Sequence, residues 1–449
     1  NAQLVIVALE AFQITKRPLY ADLARDCLSF IERDLQVHRG AWAAAIDAES
    51  LSDRGDRVEG YFYTWTYSEL SALFSEEELE WVTATFGLSP EGNIYQGPVE
   101  GAQESPESSL ESSDERESSR PHDVAEALNG RNLFRMYEPL DKDEKRYWGP
   151  LKERLYQARE RRPQPARDEQ VVCAWNALML SALSKAATVL ANPHYLTLAK
   201  STAQFLTQRL WDGARVKRVW RVNGNDSQQT DGVLEDYMAL SLGLLDYFEA
   251  SGEVESLHQA IEVYEAAEVF FDQERGGFFR CELERRRSLP YEEKPIIDGA
   301  EPSGNALAAL VALRLHQLTD IPHYRAQADS TLKAIGSIMS SQPTATPKAL
   351  CALAHWFGSR GQLVLVHLKR GEDRIKHPLN VASWQLFQPF TIRLTLQYID
   401  TQLKQHIPMI NKRPTESESN HALICSARGC TPPISQASAL RSALSQLDT

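Results

Sequence analysis

One spacing constrains this chain more than any other feature. Pro18-Leu-Tyr20, Pro193-His-Tyr195 and Pro322-His-Tyr324 each begin 17 residues after an asparagine that opens an apolar run (1 to 18, 176 to 193, 305 to 322). Each tyrosine is followed four residues later by an alanine: Ala24, Ala199 or Ala328. Proline suits the first turn of a helix, where its missing N–H would have no partner, and residues four apart share one helix face. The pattern predicts a helical hairpin, repeated. A further copy opens at Leu234-Glu235-Asp236-Tyr237 and turns at Ser251-Gly252-Glu253 without the proline, an equally good corner.

The aligned polar positions 176, 236 and 305 lie 60 and 69 residues apart, beyond the periods of common helical solenoids, so the hairpins carry substantial loops. Arranged in a ring with one helix of each pair inside, they predict a mainly α, (α/α)6-type toroid whose inner-helix ends surround a cavity; an open stack of helix pairs is the alternative. In Asp298 to Leu318, Leu307, Val311, Leu315 and Leu318 recur at helical spacing while Asp298, Glu301, Ser303 and Asn305 cluster at the helix mouth. Polar groups gathered at one end of a buried helix point to a pocket.

Between the hairpins, AIDAES (45–50) and the alternating aromatics of YFYTWT (61–66) read as a β-hairpin excursion, with FFDQERGGFFRCELE (270–284) as its counterpart. A helical pair is expected from Ser68 to Phe86-Gly87, and a charged helix over 142–162. The stretch 97–122, rich in Ser and Glu with few apolar residues, reads as a disordered loop. QLVLVHL (362–368), FTIRLTLQYI (390–399) and HALICS (421–426) read as strands. The expected division is therefore a toroid over 1–358 and a small α/β appendage over 359–449.

The formal charge of −13 and the lack of any basic run with interleaved aromatics argue against a nucleic-acid partner. No apolar run approaches the ~18–20 residues that span a bilayer, so no membrane association is expected. Six cysteines fall mostly within apolar helix patterns, as free thiols of a reducing, cytoplasmic protein would. The chain opens inside an apolar helical pattern, so a toroid incomplete at its N-terminus is expected.

Carboxylates carry the candidate chemistry, because glycoside cleavage uses one group to protonate the leaving oxygen and another to attack or to activate water. Asp236 and Glu301, beside aligned helix starts, are the predicted catalytic pair. Asp47, Tyr63, Asp168, Trp175, Asn176, Tyr237, Asp298, Ser303 and Asn305 are predicted substrate contacts, the aromatic faces suiting a small saccharide. The competing reading makes the Asp and Ser residues helix caps that satisfy free backbone N–H groups. No glycine-rich phosphate loop follows a strand, so no nucleotide or other cofactor is expected.

GAWAAAIDAES with YFYTWT, VVCAWNALML, LEDYMALSLGLLDYFEA, GGFF, DGAEPSGN and CSARGCTPP resemble, in order, motifs of the YyaL-type family, whose animal member is spermatogenesis-associated protein 20. The resemblance implies a thioredoxin-like domain preceding a toroid similar to six-hairpin glycosidases and to N-acylglucosamine and cellobiose 2-epimerases. It sets a hydrolase or an isomerase beside a second possibility, a non-catalytic scaffold that presents clients to a thioredoxin-like domain. This chain departs from the family pattern in having Asp168-Glu169-Gln170 where relatives carry two aspartates and a lysine, and Asn176-Ala177 in place of Asn-Gly. Epimerisation needs two bases, commonly histidines, and none of the eleven histidines falls on an inner-helix start. Cys425 and Cys430 read as structural thiols or as a redox pair serving the thioredoxin-like domain; with His421 they are too few for a zinc site.

Overall fold

All four predicted hairpins form. The structure, a computed structural model, describes residues 1–94, 127–222, 230–288, 290–358, 363–397, 399, 401–411, 419–426 and 429–446; the stretch expected to be disordered, 97–122, lies outside these. Helices α1 (Ala2–Thr15) and α2 (Pro18–Phe30) make the first hairpin. The chain then enters a separate compact unit, Ala45–Asp168. That unit holds α3 (Tyr67–Leu73), α4 (Glu76–Phe86) and α5 (Lys142–Arg159) around a core that includes Trp65, Leu70, Phe86 and Leu151. The other unit, Asn1–Ala44 with Glu169–Thr449, continues with hairpins α6 (Cys173–Val189) and α7 (Pro193–Arg209), α8 (Leu234–Ser251) and α9 (Val254–Ala266), and α10 (Gly304–Thr319) and α11 (Pro322–Ser341). Helix α12 (Pro347–Gly358) follows.

Within this unit the first helix of each hairpin packs on its partner and on the first helix of the next, in the order α1, α6, α8, α10, α12. Burial separates the two layers. All 18 residues of α8 are buried, against 5 of the 13 in α9, as expected of an inner helix covered on every side and an outer helix covered on one. The first helices form the inner wall of an α/α toroid. Helices α6 and α8 approach so closely that a Cβ on Gly243 would sit 2.6 Å from the carbonyl oxygen of Ala177, which explains a glycine inside a buried helix.

The repeat that announces the hairpins is structural. Pro18, Pro193 and Pro322 each start a helix, and Ala24, Ala199 and Ala328 are completely buried. Each corner also puts one residue into the left-handed region, two positions before the second helix begins: Lys16 (φ 59°), Ala191 (φ 50°), Gly252 (φ 68°) and Asp320 (φ 59°). Only the copy without proline uses glycine there, where no Cβ opposes the conformation.

Two strand readings change. Glu49–Leu51 pairs with Arg57–Glu59, so the 45–66 excursion is a hairpin, but its return arm is not YFYTWT. Tyr61–Tyr63 forms a 3₁₀ turn instead, after Gly60 at φ 77°. The carbonyls that a strand would offer to a neighbour are taken by guanidiniums: Arg162 donates to Phe62 O (2.8 Å) and Thr64 O (2.7 Å), and Arg131 to Thr64 O (3.0 Å). Around Gly276 and Gly277 the 270–284 segment keeps one bridge, Phe271 to Phe278, and ends in a helical turn at Leu283–Arg286.

The C-terminal strands form as expected, in a sheet ordered Ile392–Leu396, Leu363–His367, His421–Ser426, Gly429–Cys430, the first pair parallel and the others antiparallel. The sheet falls in the same compact unit as the hairpins. Its strands are buried on both faces. One face is covered by helices Pro378–Trp384 and Ala437–Ser445, while Ile392–Leu396 packs on α8, where Glu249 accepts the N–H of Arg393 at 3.1 Å. A sheet buried on both faces needs both covers.

Candidate functional site

The aligned asparagines do one job twice. Asn176 Oδ1 accepts the N–H of Trp42 (2.9 Å), and its Nδ2 donates to Trp42 O (3.1 Å) and Val172 O (3.0 Å). Asn305 Oδ1 accepts the N–H of Phe278 (2.7 Å), and its Nδ2 donates to Phe278 O (2.9 Å) and Pro295 O (2.8 Å). Each carboxamide replaces a missing β-partner for one aromatic residue, clasping the loop that follows the preceding hairpin to the start of an inner helix. Both side chains are buried and spent, so they shape the helix mouth without having a group left for a ligand.

At that mouth lies a cavity of about 770 Å³, built wholly within the hairpin unit. Its wall is mostly apolar, with the indoles of Trp42 and Trp175 and the charged groups Glu235, Arg280, Glu293, Lys294 and Glu301. Trp175, 43% exposed, donates its indole N–H to Glu301 Oε2 at 2.9 Å. Arg280 is paired with Glu293 at 3.0 Å, and Lys294 with Asp272 at 2.6 Å.

Glu235 differs from these. It is buried, its Oε2 makes no hydrogen bond, and the nearest cation, Arg280 Nε, stands 3.8 Å away. Burial, and after it the charges of Glu301 and Asp236, push its carboxyl up to about 7, against the pull of its own backbone N–H and of Arg280. A buried carboxyl that titrates near neutrality and faces a cavity has the character of a proton donor.

The structure thus brings Glu301, Trp175, Asn176 and Ser303 to one cavity and leaves Asp236 outside it. Asp236 is fully buried and does not line the cavity. Its Oδ1 accepts the N–H of Ala174 (3.1 Å) at the start of α6, and its Oδ2 accepts the N–H of Val233 and the Arg218 guanidinium (both 2.9 Å). Burial still holds its pKa above the ordinary carboxylate value despite Arg218. It is a clamp between two helix starts. Ser303 caps α10, accepting the N–H of Ala306, and Asp298 ties two helix starts together by accepting the N–H groups of Ser303 and Lys348, both at 2.7 Å. Asn305 and Tyr237 are buried away from the cavity, Tyr237 packed edge-on against Phe270.

Asp47, Tyr63 and Asp168 belong to the other unit. There Asp47 pairs with Arg57 at 2.5 Å, Tyr63 lies under the Arg159 guanidinium, and Asp168 stands opposite Ala45 in a two-residue strand pair. The sequence reading missed Glu235, next to a residue it chose, and Arg280 and Glu293, which come from an aperiodic loop. Cys425 and Cys430 are not free thiols but are joined by a disulfide across neighbouring strands; Cys27, Cys173, Cys281 and Cys351 are free. Among the described residues, no group of three His, Cys, Asp or Glu is placed to hold a metal, and no helix is long and apolar enough to cross a membrane.

The chain is similar over 99% of its length to spermatogenesis-associated protein 20 of Homo sapiens (27% identical) and of Rattus norvegicus (28%). It is also similar, over 81% of its length, to an uncharacterized protein of Caenorhabditis elegans (25%). It spans 57% of the length of the two mammalian relatives and 49% of the nematode one. These matches agree with the family read from the motifs. No family model matches. Two solved glycoside hydrolase family 76 structures, one described as a mannosidase of Bacteroides thetaiotaomicron, each superpose with a TM-score of 0.31. They are 18% and 14% identical, covering 38% and 43% of this chain and 46% and 43% of their own.

Proposed function

We propose that the mouth cavity binds a saccharide and that Glu235 and Glu301 cleave a glycosidic bond within it. The observation that carries this is the buried Glu235 carboxyl, its Oε2 without a hydrogen bond and its pKa pushed up to about 7, at a cavity that Glu301 also lines. At neutral pH a large share of Glu235 is protonated and able to donate to the glycosidic oxygen as the bond breaks. Glu301, held in place by the Trp175 indole, is the carboxylate that attacks the anomeric carbon or activates a water. The exposed indole of Trp175 offers a flat apolar face to a sugar ring, and Arg280 and Lys294 supply donors for hydroxyls. Among the described residues lining the cavity there is no histidine, which favours hydrolysis over a two-base epimerisation.

A panel of aryl α- and β-glycosides tests the reading, with the wild-type chain beside Glu235→Gln and Glu301→Gln. The expected result is release of the aryl alcohol from one anomeric series, lost in both variants while saccharides still raise their melting temperature. Absence of both turnover and saccharide binding would overturn it, and would turn the search to protein clients.

A further inference from the structure

A second cavity, about 630 Å³, lies in the hairpin unit between α1, α6, α8, α10, α12 and the 384–393 segment. Gln3, Leu178, Gly299 and Pro302 line both cavities. Four cations face it, and their partners differ. Arg314 is spent on Asp246 (2.7 Å) and Glu249. Arg393 is spent on the carbonyls of Ser383, Thr391 and Gln388. Lys185 reaches Glu10 at a long 3.4 Å. Lys348, on α12, directs its ammonium at no acceptor among the described residues, although its backbone N–H is held by Asp298.

Beside these stands Ser184 on α6, which is 1% exposed and lines the same cavity. Its hydroxyl makes no hydrogen bond. A buried unpaired hydroxyl costs about 1–3 kcal/mol, and the ammonium of the part-buried Lys348 gains a charge-assisted bond from any acceptor placed beside it. Two such groups facing one space ask for an acceptor that fills it. The carboxylates nearby do not serve: Asp246 and Glu249 hold Arg314, Glu10 is turned to Lys185, and Asp298 is occupied by two N–H groups.

We propose that this inner cavity is a binding site for a small oxyanion, a carboxylate or a phosphate, held by Lys348 with Lys185 and the hydroxyl of Ser184. Bridging by one anion relieves the repulsion between the two ammonium groups and gives each a charge-assisted hydrogen bond. Burial, and after it the charge of Lys185, lowers the pKa of Lys348, opposed by the charges of Cys351, Glu10 and Asp246. An anion opposes that trend by favouring the charged ammonium. The site does not depend on the glycosidase reading, since it shares none of that reading's reacting groups.

The test is a thermal-shift and calorimetric titration of the whole chain with inorganic phosphate, acetate and gluconate, against glucose as a neutral control, for the wild type, Lys348→Met and Ser184→Ala. Phosphate stabilises many folded proteins through its exclusion from their surface, so the readout is the difference between wild type and variant. The melting temperature of the wild type should rise with one anion class and stay flat in Lys348→Met, with affinity at least about tenfold weaker. Lys348→Met removes an unpaired charge and should melt no lower than the wild type without ligand. Response to gluconate and acetate but not phosphate would assign a carboxylate, and the reverse a phosphate; either supports the site. Equal responses in wild type and Lys348→Met, or none to any anion, would overturn it, whatever the glycoside assays show.

Discussion

Glu235 and Asp236 are consecutive residues at the start of α8, and their carboxyls have opposite fates: one lines the mouth cavity with its Oε2 making no hydrogen bond, the other is sealed away and accepts three. The difference is rotational. One residue is about 100° of helix turn, enough to move a side chain from the cavity to the seam with α6.

This arrangement predicts a pH signature for Glu235. Its folded pKa, about 7, lies above the ordinary 4.5, so between those values the folded state holds a proton that the unfolded chain has lost. Stability therefore falls as pH rises through that window, by on the order of 3 kcal/mol in all, and levels off above it. Glu235→Gln keeps a neutral side chain at every pH and removes this slope. Melting temperatures between pH 5 and 8.5 should converge at the acid end and separate at the alkaline end, the variant being the more stable. Parallel curves would show that Glu235 ionises as an ordinary glutamate.

Asp236→Asn should behave in the opposite sense. The amide keeps one acceptor, turns N–H bonds toward groups that already donate, and leaves the Arg218 guanidinium without its carboxylate. A loss of about 2–3 kcal/mol is expected, less than for a completely buried pair because Arg218 is 26% exposed. Denaturant unfolding would measure it. If activity is found, this variant should lose it in step with folded protein, whereas Glu235→Gln should lose it while fully folded.

The clasps make a third case. Asn176→Ala and Asn305→Ala each strip the partners from the N–H and C=O of one buried aromatic residue, Trp42 or Phe278. Each should cost about 2–4 kcal/mol. Because the two serve different loops, the double variant should lose close to the sum. Chemical denaturation of the three variants checks both statements.

The hairpins were legible because their signals are local: a proline at the first turn and an alanine four residues beyond a tyrosine speak for packing within one pair of helices. The toroid mouth was legible at Glu301 and Trp175 for a similar reason, since both sit at the start of an inner helix. Glu235 was not separable from Asp236, because choosing between adjacent carboxylates requires knowing where α6 lies. Arg280 and Glu293 carry no periodic signal. The turn at Tyr61–Tyr63 looked like a strand because alternating aromatics suit one, and the arginines that take its carbonyls, Arg131 and Arg162, come from about 70 and 100 residues further on. The cover that α8 gives the C-terminal sheet is likewise a long-range contact, so the two looked separable.

Thiol chemistry offers a direct check on the C-terminal sheet. Alkylation under denaturing, non-reducing conditions should add four groups, one for each free cysteine, and six after reduction. The loop closed by Cys425 and Cys430 spans only five positions, so reduction should cost about 2 kcal/mol by chain entropy. Six adducts without reductant would show that the pair is open in solution.

The hairpin corners provide the last prediction. Ala191 sits at φ 50° with a Cβ that the left-handed conformation opposes, at the position where the α8–α9 corner has Gly252. Left-handed backbone costs an L-residue about 1–2 kcal/mol, and glycine gives part of that back through the greater freedom of its unfolded chain. Ala191→Gly should therefore stabilise the protein by about 0.5–1 kcal/mol, an unusual sign for a glycine placed next to a helix. The converse change, Gly252→Ala, should destabilise by about that strain, since the Arg374 guanidinium that a Cβ would meet at 2.7 Å is the far end of a flexible side chain and can shift. Urea unfolding of the two variants beside the wild type measures both. A loss of stability in Ala191→Gly would mean that this corner does not hold the left-handed conformation in solution, and that the proline two positions later sets the turn by itself.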